Sequence, residues 1–348
     1  MTELPITHLH SLLDMKNTTH KPLICIVGTG GTIASKYDAK IGGHVSAASA
    51  QDLVGAVPEL VNIAELRVVE HSNINSALMD TTTAFTLRDT LRKVLQDEAV
   101  AGVVVTHGTA TLEETAYLMD LTLGSDKPVV ITGAQRNFDE KDADGPRNLL
   151  NAVMVAAHPE ARGRGVLTAL GGEIHAARDT TKANPQDLIA FKARDGGPVG
   201  FVADHSVTFL NMPQRRLHLE VDHVKDNVQV VRMVQGSNDL LLRACISGGV
   251  DGIVVEATGG GNVNRPFYDG VCAALDAGIP VVVGTRLPSG APHLGKGYAG
   301  SFVSMTRHGA ISSGYLSGIK ARILLMVALA HTTDRERLRE IFARAGGA

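Results

Sequence analysis

The chain has 348 residues, 44% of them hydrophobic and 20% charged, with a formal net charge of −3. That is ordinary globular composition, long enough for a sizeable core and two domains. The charge gives no electrostatic basis for a nucleic acid or an anionic membrane as partner. Tryptophan is absent and aromatics reach only 4%, which removes the stacking platforms that hold single strands, and no apolar run approaches the ~20 residues of a membrane span.

In chain order, residues 1–21 read as a loosely held polar arm without the apolar segment of a signal peptide. Residues 23–27 are an apolar strand running into Gly28-Thr29-Gly30-Gly31-Thr32. Residues 35–50 have no clear period and read as a mobile loop over the sheet edge. A helix starts after Ser49, a strand covers 64–70, and a polar turn over 71–79 offers Ser72, Asn73, Asn75 and Ser76. Residues 81–96 carry Leu87, Leu91 and Leu95 at helical spacing. Three valines, Val103 to Val105, then form a buried strand that enters the turn Thr106-His107-Gly108-Thr109-Ala110-Thr111. Further helices are read over 112–123 and 148–157, and further strands over 128–132 and 165–170. The stretch 201–234 holds a small hairpin and charged, loop-like sequence, so a linker is placed at 211–234. After it the strand–helix rhythm resumes, with helices over 239–247, 266–277 and 319–329 and strands over 252–256 and 280–284. This alternation predicts an α/β protein of parallel βαβ units.

Two of these strands deliver a threonine to one sheet edge, where ligands bind in open α/β folds. A threonine hydroxyl attacks only when a base takes its proton, and a desolvated lysine can be that base. Lys182, which closes the turn Thr180-Thr181-Lys182, is the candidate, although most lysines simply face water. Thr32 and Thr109 precede helix-like sequence, where threonine also caps, and Thr111 with Glu114 has the spacing of a capping box. His107 and His175 read as hydrogen-bonded structural histidines. The glycines at 28–31 miss the dinucleotide fingerprint, because its third glycine position holds Ile33. No sequence fits a phosphate loop or a metal cluster, so neither cofactor nor metal is expected. Cys25, Cys245 and Cys272 are too few and too scattered for a disulfide framework. They read as buried thiols of a reducing cytoplasm.

Five motifs in order then identify the family that the chain resembles: GTGGTIA (28–34), VVVTHGTATLEETAYLMDL (103–121), PVVITGAQR (128–136), DGPRNLLNAV (144–153) and EIHAARDTTK (173–182), with DGIVVEATGGGNV (251–263) and RLPSG (286–290) in support. They resemble the bacterial-type L-asparaginase/glutaminase family over nearly all of residues 22–345. The resemblance implies a two-domain α/β fold. A large N-terminal catalytic domain (22–210) would hold an open, mostly parallel sheet flanked by helices, and a smaller α/β domain (235–348) would follow. It implies assembly as a homodimer or homotetramer with sites near the chain interface. It also implies roles: Thr32 as nucleophile, Thr109 and Lys182 for proton transfer, and Tyr37 as the supporting tyrosine of the loop. Gly31, Asn75, Ser76, Gly108, Ala110 and Ala134 would line the substrate.

The departures carry as much information. Members usually read His-Gly-Thr-Asp-Thr, so Ala110 stands where an aspartate grips the substrate's α-ammonium. Ala77 stands where glutamine often follows the serine, and residues 291–304 hold no acid to offer a neighbouring chain's site. A buried ammonium without a counter-charge is costly. The expectation is therefore an amidohydrolase for an asparagine- or glutamine-like amide that lacks a free α-ammonium, such as an N-substituted amino acid amide or a dicarboxylic monoamide. The alternatives are an ordinary L-asparaginase that holds the ammonium by other groups, a catalytically weak binding or regulatory homologue, and hydrolysis of an ester, lactam or imide by the same acyl-enzyme route.

Overall fold

The computed structural model describes residues 20–347. The expected N-terminal arm lies outside the described residues apart from His20 and Lys21. Strand β1 (Leu23–Gly30) is buried over all but its first residue. Its alternate residues serve two cores, Cys25 and Val27 on one face and Ile24 and Ile26 on the other, as in any strand covered on both sides. A hairpin follows, β2 (Ser35–Asp38) with β3 (Gly43–Ser46), and then α1 (Ala50–Gly55), β4 (Glu65–Ile74), α2 (Thr81–Gln96), β5 (Val100–Thr106), α3 (Leu112–Thr122), β6 (Val129–Thr132), α4 (Gly145–Ala157) and β7 (Val166–Leu170). Strands β4, β1, β5, β6 and β7 lie side by side and parallel.

Strand β8 (Glu173–Ala176) turns back antiparallel along β7, β9 (Thr180–Lys182) pairs with β10 (Phe191–Ala193) in a separate ribbon, and β11 (Gly200–Ala203) and β12 (Ser206–Phe209) extend the sheet beyond β8. Leucines of α1 and α4 fill one core and those of α2 and α3 the other. The chain leaves β1 toward β4 on one side and returns to β5 on the other. That reversal opens a crevice at the carboxyl ends of β1 and β5, where such sheets bind ligands.

The second domain comprises β13 (Val228–Arg232), α5 (Leu240–Ser247), β14 (Gly252–Ala257), α6 (Arg265–Asp276), β15 (Val281–Thr285), α7 (Phe302–His308), β16 (Ile311–Ser312), α8 (Gly318–His331) and α9 (Arg335–Gly346). Its four strands are parallel and in sequence order. Helices α5, α6 and α7 cover one face of that sheet, while α8 and α9 cover the other and share their core with α2 and α3 of the large domain.

Several expectations need correction. Residues 35–50 contain the β2–β3 hairpin rather than an unstructured loop, because Asp38 Oδ1 accepts from Lys40 N and Ile41 N and Gly42 takes a positive φ of 72° to close the turn. The expected linker at 211–234 ends in strand β13, whose Val228 and Val231 turn into the core while Gln229 and Arg232 face out. Strand β4 runs to Ile74, into the stretch expected as turn. Lys182 lies on a strand paired with β10, not in a turn. The small hairpin expected near 201 is β11–β12. Asp204 and His205 occupy positive φ (47° and 58°) at its tip, the left-handed pair of a two-residue hairpin.

Helix α8 is apolar on nearly every side, yet it buries Lys320 to 2% exposure. The Lys320 ammonium donates to Ala177 O at 2.9 Å and to Glu113 O, and stands 5.4 Å from the Tyr117 ring. It thereby ties the second domain to the start of α3 and to the segment leading into β9. Burial lowers its pKa to about 8, against the pull of Glu113, Asp179, Glu114 and Asp120. Because the unfolded chain holds that proton more tightly, protonation favours unfolding, and the stability withheld below the folded pKa returns as pH rises through it. Between about pH 7 and about pH 9 this group should add on the order of 1 kcal/mol. Lys320→Met, although less stable overall because two carbonyls lose their donor, should lack that rise. Denaturant titrations of both proteins across the range measure it.

Candidate active site

The site begins where the turns that follow two neighbouring parallel strands, β1 and β5, touch. Gly31, at φ +86°, lies so close to Gly108 that a Cβ on Gly31 would sit inside the Gly108 backbone. A Cβ on Gly108 would fall 2.5 Å from Ser76 Oγ and 3.1 Å from Gly31 Cα. Only glycine fits either position. Gly31 N donates both to Ile74 O at 3.0 Å and to Ser46 Oγ at 3.1 Å, and Thr29 Oγ1 donates to Thr106 O at 2.9 Å. Thr32 and Thr109 are the next residues along the two touching backbones. Thr32 opens a short 3-10 turn, Thr32–Ala34, and is half-buried.

Around Thr109 the geometry is closed. Lys182 Nζ donates to Thr109 Oγ1 at 2.8 Å and to Gln135 Oε1 at 3.2 Å, and Thr109 Oγ1 donates to Gln135 Oε1 at 3.1 Å. Burial lowers the Lys182 pKa from its ordinary value. The Lys182 backbone N–H donates to Glu113 Oε1 at 3.2 Å, and Glu113 is itself only 7% exposed. Asp144 clamps the neighbouring turn by accepting from Gln135 N at 3.1 Å, from Arg136 N at 2.9 Å and from Asn148 Nδ2 at 3.0 Å.

The remaining predicted residues fall into place as follows. Ser76 Oγ accepts from Ala110 N at 3.1 Å, and Asn75 Oδ1 accepts from Ala77 N at 2.9 Å. Thr111 stands at the N-terminus of α3, but its hydroxyl donates to Ser76 O at 2.7 Å and makes no cap, so the expected capping box does not form. Ala110 is exposed and Ala134 is buried beside Gln135. Among the described residues, the side chains bonded to 109–111 are those of Ser76, Gln135 and Lys182, and no carboxylate joins them. Tyr37 sits apart from this cluster on the β2–β3 hairpin, 57% exposed, with its ring edge-on to His44. His107 is fully buried. Its Nδ1 faces Gly108 O at 2.7 Å, and desolvation drives its pKa to about 4, so it stays neutral at physiological pH.

Gln135 was not among the residues expected here. The available signal is its position three residues after β6 ends, at the same sheet edge as the turn after β5.

Family models match both halves of the chain, "Asparaginase, N-terminal" over residues 23–215 and "Glutaminase/Asparaginase C-terminal domain" over residues 227–342. This chain belongs to the asparaginase family. It is 36% identical over 330 residues to L-asparaginase 2 of Escherichia coli (strain K12), covering 92% of each chain. It is 33% identical over 351 residues to a probable periplasmic L-asparaginase of Haemophilus influenzae, covering 98% of this chain and 99% of that one. The crystal structure of a probable cytoplasmic L-asparaginase from Campylobacter jejuni superposes with a TM-score of 0.84 at 32% identity, covering 92% of this chain and 99% of that chain. As an asparaginase-family protein the chain is an amidohydrolase acting on amide C–N bonds.

The contact of the two glycine turns makes a sharp expectation for this asparaginase-family site. Gly31→Ala adds a methyl where backbone stands and at a φ that alanine resists, so stability should fall by roughly 3 kcal/mol or more. Amide hydrolysis should fall with it even in the fraction that stays folded. Thermal melts and turnover measured on the same preparation check both.

Proposed function

We propose that this amidohydrolase cleaves the carboxamide of an asparagine- or glutamine-like substrate lacking a free α-ammonium, through an acyl-enzyme on Thr32. The observation that carries the reading is the exposed Ala110 in a turn where no carboxylate is bonded. In the family such a position usually bears the acid that holds the ammonium. Loss of one charge-assisted hydrogen bond, about 1.5–3 kcal/mol, weakens binding of free asparagine by roughly ten- to a hundredfold.

The chemistry runs in two steps. Thr32 Oγ attacks the amide carbon, its proton passes through the Thr109–Lys182 pair to the leaving nitrogen, the C–N bond breaks and ammonia departs. Water, deprotonated by the same pair, then attacks the ester carbon and releases the acid and the Thr32 hydroxyl. Ser76, Asn75, Gly31, Gly108 and Ala134 line the substrate in this reading, and backbone amides of the glycine turns other than those of Gly31 and Ala110, which already have partners, would meet the developing oxyanion. Tyr37 supports the nucleophile only if its hairpin swings inward, since here its ring faces solvent. The reading includes residues 22–210 as catalytic domain and self-association as a dimer or tetramer. The three free thiols fit a cytoplasmic setting.

Comparison of kcat/KM for succinamate and L-asparagine tests the substrate class, and a clear preference for asparagine would sink it. Ala110→Asp should shift that ratio toward asparagine by about tenfold or more. Intact mass spectrometry should find an acyl adduct on Thr32, and Thr32→Ala should remove both adduct and turnover.

A further inference from the structure

We infer that Gln135 is a positioning residue for the proton-carrying pair Thr109–Lys182, a neutral acceptor that keeps the two in line in both protonation states of the lysine. The inference rests on the amide-hydrolysis reading above. Its geometry is the triangle of Lys182 Nζ, Thr109 Oγ1 and Gln135 Oε1, with sides of 2.8, 3.1 and 3.2 Å. The orientation of the amide follows from its other end, where Gln135 Nε2 donates to Asp187 O at 3.0 Å. A carbonyl accepts only from the NH₂, so the oxygen must face the lysine. The backbone of Gln135 is in turn fixed by Asp144, which accepts from Gln135 N.

The amide oxygen has two lone pairs, and the triangle uses both. With Lys182 charged, the ammonium donates to Thr109 and to Gln135, and the Thr109 proton also rests on Gln135. With Lys182 neutral, the Thr109 hydroxyl turns to the amine lone pair while an amine N–H still holds Gln135. The proton thus passes between threonine and lysine while the lysine keeps its place. A carboxylate at the same position would hold the ammonium too tightly to release a proton near neutral pH. An apolar side chain would leave the amine unanchored.

Other charges surround the lysine. Glu113 on α3 meets its backbone N–H, Asp187 lies in the β9–β10 turn, and Asp144 stands before α4. Lys192 on β10 is engaged by Glu173, and Lys320 on α8 binds the Glu113 carbonyl. Burial is the cause that lowers the Lys182 pKa, and Gln135 is the side chain, besides Thr109, bonded to its head.

Two variants test this, Gln135→Glu and Gln135→Met, each confirmed folded by its thermal melt. The first readout is the pH profile of kcat/KM for succinamate, and the second is an NMR titration of the Lys182 side chain, which needs no turnover. Gln135→Glu should raise the Lys182 midpoint, and with it the acid limb of the profile, by about one pH unit or more. Gln135→Met should move both the other way and lower kcat about ten- to a hundredfold. Unchanged Lys182 midpoints in both variants, or shifts of the same sign, overturn the inference. Should Gln135→Glu fail to fold, a Gln135→Met midpoint at or above wild type overturns it alone. If instead the midpoints move as expected while wild type hydrolyses neither succinamate nor asparagine, the positioning of Lys182 stands and the hydrolase reading fails.

Discussion

Two turns meet without side chains between them, and the chemistry proposed for this protein depends on that meeting. Gly31 and Gly108 press backbone to backbone, which fixes the placement of the next residue of each turn, Thr32 and Thr109. The surrounding bonds act as braces. Ile74 O and the Ser46 hydroxyl hold one turn, and Ser76 holds the other through Ala110 N. Hydrogen bonds that would be interchangeable elsewhere acquire consequence here, because a shift of one turn relative to the other would displace Thr32 from Thr109, the two residues on which the proposed reaction rests.

The electrostatics of the crevice are those of a site built with few acids. Ala110, which the proposed function places at the substrate, contributes no charge, and a carboxamide meets the Lys182 ammonium. Both choices act in the same direction. A neutral surrounding neither recruits a cationic substrate nor locks the lysine in its charged form. Among the described residues, the carboxylate bonded to Lys182, that of Glu113, takes its main-chain N–H and so fixes position instead of neutralising the head.

Much of this was readable from residues alone, and the failures have physical causes. Helix α2 spans Thr81–Gln96 as its leucine spacing required, and the buried valine strand β5 ends at Thr106, where the polar turn starts. Both signals are strong because burial on a fixed period leaves a mark in sequence. The β2–β3 hairpin leaves no such mark: it stands on the surface, so its residues need no alternation. Strand β13 hides behind the charged run 222–227, and as an edge strand it has solvent beside it. Helix α9 is absent from the sequence reading although Asp334 caps it and Leu338, Ile341 and Phe342 are buried at helical spacing. Thr111 was assigned to a cap by spacing, whereas its hydroxyl found a carbonyl across the fold, a contact that local sequence does not encode. Gln135 has a weaker mark, its place just after strand β6, and its partners Thr109 and Lys182 come from distant parts of the chain.

Helix α8 gives the molecule a property that its two sheets would not suggest. Its apolar surface completes the packing of both halves, and its lysine head joins main-chain oxygens belonging to the N-terminal half. Truncation before the second sheet would strip α3 of its cover and expose a greasy wall to water. The N-terminal portion should therefore be no autonomous folding module, and heat or denaturant should disassemble both halves in a single cooperative melt.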